Sequence, residues 1–354
     1  MKILYFGPIA EEGKPAVGGY EAANRKNIDE LRRNDIEVIE FPNPLIRKGF
    51  GKLGKIAYFK LFLTPLLLYK YRNENVILHI TPLYRNLATP AVFTEWIAQK
   101  LNIPVLLDIR AGSFIDLYVN HGKRQRRIMK KLLGYANRVT VEGKSYIEDI
   151  RKVANYKGTI DYFPNVVDCS SLEYLRRDKE DKINIFYFGR ITKNKGIDIM
   201  EKVINQLDNR FHLFLAGNIA GDVNKEKLLN NDKITYFGLL TPSQLKEKMR
   251  KMHFFLFPTR HPGEGQSNSL IEAMSEGLIP IVADQGFCAE VVGSCGKVIK
   301  EGCNATYYVE AINEIASEDI DKIGISCIEH IRNCHNLKKE IEKLIIIYKE
   351  LCNH

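Results

Sequence analysis

The sequence predicts an α/β protein made of two tandem units, each a parallel β-sheet covered by helices. Three observations predict it. At 354 residues the chain exceeds the ~100 to 200 residues of a typical single-core domain. Short apolar runs alternate with longer helix-like stretches through both halves, and parallel strands need such long crossovers. Glycine follows several of these runs directly, which is the punctuation expected where a strand gives way to a loop.

Taken in order, the first half offers the strands "KILYFG", "IEVIEF", "VILHIT", "IPVLLDI" and "RVTVEG", and the second half offers "INIFYFG", "FHLFLAG", "ITYFG", "FFLFPT" and "IPIVAD". All are rich in the β-branched and aromatic residues that suit a pleated, buried surface. The break between units is expected between "YFPNVVD" (162–168) and "INIFYFG" (from 183), across the charged, apolar-poor "LEYLRRDKEDK". That gives a first domain over 1–168, a second over 183–334, and a terminal segment over 335–354. In "LKKEIEKLIIIYKEL" the apolar residues recur at three and four, so the tail is a helix with one buried face, able to cross back to the first domain.

Composition excludes several classes. Hydrophobic residues at 45% and charged residues at 27% fit an ordinary globular chain and exclude a disordered or fibrous one. The start, "MKILYFGPIA", reads as a buried strand and not as a secretory peptide. The longest strongly apolar run, "LFLTPLLLY" (61–69), falls well short of the ~20 residues that span a bilayer. A cytoplasmic protein, or one peripheral on the inner face of the cell membrane, is expected. The seven cysteines form no CxxC pair and lack zinc-ligand spacing, so they read as reduced thiols, with no metal site.

Charge is unevenly shared. Residues 1–165 carry 27 Lys and Arg against 16 Asp and Glu, a net +11, and the rest of the chain is −2, so the positive field belongs to the first half. Residues 45–72 hold seven basic residues and no acid among leucines and aromatics, and "HGKRQRRIMKK" (121–131) adds to the same field. Two readings stand: core helices with basic flanks, or a surface that lies on an anionic bilayer. A nucleic-acid-binding protein is a weaker alternative, because no nucleic-acid motif accompanies the charge.

Three strand ends carry candidate chemistry. "YFGPIAEEGKPAVGGYEAANRKNIDELRR" is a strand, a loop with Gly18 and Gly19, and an amphipathic helix. "FYFGRITKNKGID" is a strand and then a turn holding Arg190 and Lys195. "GEGQSNSLIEAM" follows the strand "FFLFPT" and sets Glu264 and Glu272 eight positions apart. Ligands of open α/β sheets bind outside the carboxyl ends of the strands, so all three motifs are expected to face one cleft. Ser267 or Asn268 would cap a helix running to Gly277, leaving backbone N–H groups over 267–270 as a phosphate site. Arg190 and Lys195 would neutralise the same diphosphate. Glu264 suits the hydroxyls of a sugar, and Glu272 suits the adjacent hydroxyls of a ribose.

The set "GRITKNKGID", "FLAG", "ITYFG", "FFLFPT" and Glu-x7-Glu followed by "AMSEGLIPIVAD" closely resembles the C-terminal domain of family 4 of the retaining nucleotide-sugar glycosyltransferases. The order and spacing cover most of 183–284; "MKILYFG", Gly18-Gly19 and "YFPNVVD" extend the likeness more weakly into the first half. The resemblance implies a GT-B architecture of two Rossmann-like domains across a cleft, with the donor bound mainly by the second and the acceptor by the first. It also implies sugar transfer with retention, no cofactor beyond the nucleotide diphosphate-sugar, and no required metal. By motif position, Arg190 and Lys195 would hold the leaving diphosphate, Glu264 the donor sugar and Glu272 the ribose. Gly18, Gly19, Gly189, Gly217, Gly265, Gln266, Ser267, Asn268, Ser269 and Leu270 would complete the donor site. Where many members have Gly-Phe-Gly after the first Glu, this chain has "GQSN", which resembles the variant common among surface-polysaccharide enzymes. The partner it implies is a glycan acceptor, in many such enzymes lipid-linked; a soluble acceptor is the alternative. Arg110 stands where a similar strand often ends in His. Asp108 and Arg110 are therefore either cleft residues or a buried ion pair, and His79 is either a packed strand residue or part of the cleft.

Overall fold

The computed structural model describes residues 1–12, 19–41, 51, 54, 63–82, 88–110, 112–175, 182–300 and 303–353. Gly18, most of 45–62 and residues 176–181 of the expected linker lie outside the described residues. The chain forms two units, Met1–Pro164 with Leu337–His354, and Asn165–Asn336.

In the first unit, β1 (Lys2–Phe6), β2 (Glu37–Phe41), β3 (Val76–Ile80), β4 (Val105–Ile109), β5 (Arg138–Val141) and β6 (Ile160–Tyr162) form a sheet of order β2-β1-β3-β4-β5-β6. All its pairings are parallel, with Ile3 beside both Val38 and Ile77. Every residue of β3 and β4 is buried, as expected of central parallel strands covered on both faces. Asn102 and Asn155 take positive φ just beyond the helices Ala88–Lys100 and Ser145–Ala154, the left-handed stop that Asn tolerates. The terminal helix Leu337–Cys352 packs here, against the helix Gly19–Arg33 and β3, and so returns to the first unit as its periodicity predicts.

In the second unit, β7 (Ile183–Phe188), β8 (Phe211–Ala216), β9 (Ile234–Tyr236), β10 (Phe254–Phe257), β11 (Ile279–Ala283) and β12 (Lys297–Ile299) form a parallel sheet of order β12-β11-β10-β7-β8-β9. Tyr187 stacks between Phe255 and Phe257 at centroid distances of 6.2 and 6.1 Å, locking β7 to β10. Sequence order reverses at this pair: β8 and β9 lie beyond β7, and β11 and β12 lie beyond β10.

The passage between units corrects the expected break. It falls between Pro164 and Asn165, ahead of the charged stretch. Asn165 Nδ2 donates to the Gln266 carbonyl at 2.7 Å, and Tyr174 Oη donates to Asp321 at 2.7 Å, so both residues are held by the second unit. These polar anchors lie more than a hundred residues away, which is why local composition does not reveal them.

Candidate functional site

The site of the second unit is built at the β7/β10 reversal, where loops leave the carboxyl ends of two adjacent strands whose neighbours lie on opposite sides, the place at which ligands of open α/β sheets bind. The loop after β7 carries Gly189 and Arg190 and then a single tight turn, Lys193–Lys195. Thr192 caps that turn by accepting from the Lys195 backbone N–H at 3.1 Å. Gly196 ends it with φ +83°, and a Cβ there would stand 2.1 Å from the Pro258 carbonyl oxygen. Gly217, at the end of β8 with φ +127°, lies so close that an added Cβ would fall 1.8 Å from the Gly189 carbonyl oxygen. Only glycine lets these loop backbones meet.

The loop after β10 grips the turn from the other side. The Arg260 backbone N–H donates to the Asn194 carbonyl at 2.8 Å, and Thr259 Oγ1 lies 3.4 Å from the same oxygen. The Arg260 guanidinium joins Asp198 at 2.6 Å and the Lys193 carbonyl at 2.7 Å. So held, the turn directs Lys195 Nζ at Glu264 Oε2, 2.5 Å away, and Thr259 Oγ1 donates to the same oxygen at 2.8 Å. Glu264 is 7% exposed, so this is a nearly desolvated ion pair and not a solvated loop carboxylate. Arg190 lies exposed at the end of β7, its carbonyl accepting from Tyr187 Oη at 2.8 Å. Thr259 and Arg260 were not singled out in the sequence. Their position directly after an apolar strand run was the only signal available.

The helix Asn268–Ser275 starts four residues after Glu264. Ser267 caps it by accepting from the Leu270 N–H, and Ser267 and Ser269 share a hydrogen bond at 2.9 Å. The first-turn N–H groups not taken by the cap carry the positive end of the helix dipole, which favours an anion. The helix ends at Ser275, and Gly277 follows with φ +79°, the expected stop. Glu272 is half-buried, one turn inside the helix. Gly265 and Gln266 join Glu264 to the cap. The Gln266 side-chain oxygen accepts from the Asn165 N–H at 2.8 Å, and the Asn165 carbonyl meets His335 Nδ1 at 2.8 Å. That amide oxygen is thus committed to holding the loop.

The first unit gathers Asp108, Arg110 and His79 in one buried cluster. Arg110 Nε donates to Asp108 Oδ2 at 2.5 Å, Thr140 Oγ1 donates to Asp108 Oδ1 at 2.9 Å, and the guanidinium covers the Phe163 ring at 4.6 Å. Tyr348 of the terminal helix lies 2.5 Å from His79 Nδ1, and His79 Nε2 lies 3.4 Å from Asp108. Burial alone would raise the Asp108 carboxyl, but Arg110 and His79 outweigh it and hold it below its ordinary value. Burial dominates at His79 and lowers it, despite Asp108. A neutral imidazole then accepts from Tyr348 and donates to Asp108. Asp108 and Arg110 thus form a buried ion pair, and His79 packs beside them in the sheet. Gly19 opens the helix Gly19–Arg33 and is exposed. Among the described residues no group of His, Cys, Asp and Glu is arranged to hold a metal ion.

Comparison with known proteins shows what the chain resembles in sequence and fold. Residues 176–333 match the family described as Glycosyl transferases group 1. A 41.2 kDa protein in the cps region of Klebsiella pneumoniae is 23% identical over 82% of this chain and 79% of its own length. The GDP-mannose:cellobiosyl-diphosphopolyprenol alpha-mannosyltransferase of Xanthomonas oryzae pv. oryzae is 32% identical over 111 residues, 28% of each chain. Among solved structures, the sucrose-phosphate synthase of Thermosynechococcus elongatus superposes with a TM-score of 0.75 at 17% identity, covering 99% of this chain and 98% of that one. The two parallel six-stranded sheets are those of the GT-B fold.

Proposed function

We propose that this chain, whose residues 176–333 match the glycosyl transferases group 1 family, is a glycosyltransferase that moves a sugar, with retention at the anomeric carbon, from a nucleotide diphosphate donor to a lipid-linked glycan of a bacterial cell-surface polysaccharide. The observation that carries the reading is the Lys195–Glu264–Thr259 cluster, set beside a capped helix start at the strand-order reversal of a parallel sheet. Departure of a nucleoside diphosphate builds negative charge on phosphate oxygens and positive character on the sugar. Lys195, Arg190 and the helix N–H groups meet the first; the Glu264 carboxylate meets the second while binding the sugar's hydroxyls. Groups fixed in place before reaction stabilise such charge without reorganising. The acceptor part of the reading is supported by relatives whose names place them in a cps region or give them a diphosphopolyprenol acceptor, and by the basic first half. That half would lie peripherally on an anionic membrane through 45–72 and 121–131. None of the described helices is long and apolar enough to cross one.

A thermal-shift screen over UDP-, GDP-, ADP- and CMP-sugars tests the donor, because a ligand of the folded state raises its stability by mass action. Glu272→Ala is expected to weaken the stabilising nucleotide about 10- to 100-fold, the loss of hydrogen bonds to a charged acceptor. Undiminished nucleotide affinity in that variant would remove Glu272 from the ribose. Transfer is also expected to persist in EDTA with the product's anomeric configuration unchanged from the donor's, read by proton NMR of the product. Loss of activity on chelation, restored by a divalent ion, would overturn the metal-independent reading.

A further inference from the structure

Resting on the lipid-linked acceptor proposed above, we infer that a groove in the first unit, between the helices Ala88–Lys100 and Gly122–Tyr135, receives the lipid diphosphate of that acceptor. The groove has a volume of about 380 Å³ and is lined by Val92, Lys123, Arg124, Arg127, Ile128 and Lys131. Lys123, Arg127 and Lys131 recur every four residues and so form one stripe along the helix. Ile128 and Val92, both half-buried, form the apolar wall, while Met129, Leu132 and Leu133 of the same helix point into the core.

The stripe is unneutralised. The helix carries six basic residues and no acid. Among the described residues, no ion pair engages Lys123, Arg124, Arg127 or Lys131. Like charges four apart destabilise a helix, so the fold carries a repulsion that an anion in the groove would relieve. Two linked phosphates would neutralise part of the charge of the four cations, and such phosphate contacts are charge-assisted.

The surroundings favour an amphiphile over a free anion. Trp96, one turn beyond Val92, is 42% exposed, and the helix Thr64–Tyr71, packed on the same helix, presents Leu66 at 65% and Tyr69 at 56%. Large exposed apolar and aromatic side chains on one groove helix and on the helix packed against it suit the headgroup level of a bilayer. An aqueous phosphate has no use for them, and a bilayer surface alone has no use for a concavity. Position agrees as well. In a parallel sheet each crossover helix starts from the carboxyl edge, so Val92, Lys123, Arg124 and Arg127, in the first halves of their helices, lie toward that edge. Ligands of open α/β sheets bind there.

The test uses the full chain and a Lys123→Gln/Arg127→Gln/Lys131→Gln variant, whose substitutions are all at exposed positions. The probes are phosphatidylcholine vesicles with and without polyprenyl diphosphate, and phosphatidylglycerol vesicles of matched charge. Wild type is expected to bind the polyprenyl diphosphate vesicles preferentially, and the variant about 100-fold more weakly, at roughly fivefold per cation. Its stabilisation by nucleotide should be unchanged, which reports an intact second unit. Equal binding by the variant, or equal wild-type binding to phosphatidylglycerol, overturns the groove as a lipid diphosphate site. Transfer assays separate the two readings. Wild-type transfer to a polyprenyl-linked acceptor with an unchanged KM in the variant sinks the groove and leaves the acceptor standing; wild-type transfer only to a water-soluble acceptor sinks both.

Discussion

Lys195→Ala is expected to lower kcat about 100- to 1,000-fold, the loss seen when one preorganised donor to a developing anion is removed. The lysine is aimed by everything around it. Thr192 caps its turn, Gly196 permits the approach to Pro258, and the Thr259 and Arg260 side of the neighbouring loop fixes Asn194. Its ammonium reaches Glu264 at 2.5 Å with both side chains largely out of water, 17% and 8% exposed. One consequence is that the variant loses stability as well as rate, because Glu264 keeps only the Thr259 hydroxyl as its hydrogen-bond donor among these groups. The two effects separate by measurement. Assayed well below its melting temperature with saturating donor, a variant that had lost only the ion pair would keep its kcat, whereas loss of leaving-group stabilisation persists at saturation. An unchanged kcat would remove Lys195 from the chemistry. Lys195→Arg, which keeps the charge but spreads it over a larger, planar group, is expected to recover only part of the loss.

How much of this was legible depends on the range of the interaction. Ten strands could be read from local apolar runs, because a buried parallel strand needs no partner information to look apolar. The other two described strands, β6 and β12, have three residues each and sit at sheet edges, too short for a periodic signal. Glu264, Glu272, Arg190 and Lys195 stood out through spacing next to strand ends. The contacts that fix their geometry did not: Thr259 to Asn194 spans 65 residues, and Gln266 to Asn165 spans 101. Gln266 shows the limit well. Its place in "GQSN" suggests only a donor-site role, yet its side-chain oxygen is spent on the chain's entry into the second unit, a role no local pattern encodes. The terminal helix is the opposite case, since its three-and-four spacing already required a partner face, and Tyr348 meets His79 across 269 residues.

Asp108→Asn is expected to destabilise the first unit by about 3 to 5 kcal/mol, the usual result of removing one partner from a buried ion pair. Asp108 is fully buried and accepts from Arg110, Thr140 and His79 together. An amide there offers one acceptor oxygen where three donors converge, and it carries no charge to balance Arg110. Arg110, 4% exposed and held charged by Asp108, would lose the carboxylate that pairs with it at 2.5 Å. The pH dependence follows from the sign of the shift. The Asp108 carboxyl is held below its ordinary value in the folded chain, so its stabilisation is present in full above the unfolded value near pH 4 and fades as pH falls through the lower folded value. The gap in melting temperature between wild type and variant should therefore be widest near neutrality and close below about pH 4. Nucleotide affinity supplies the control, since the donor-site cluster belongs to the second unit. A variant equally stable at pH 7, or a gap that widened on acidification, would show that Asp108 does not hold Arg110 in place.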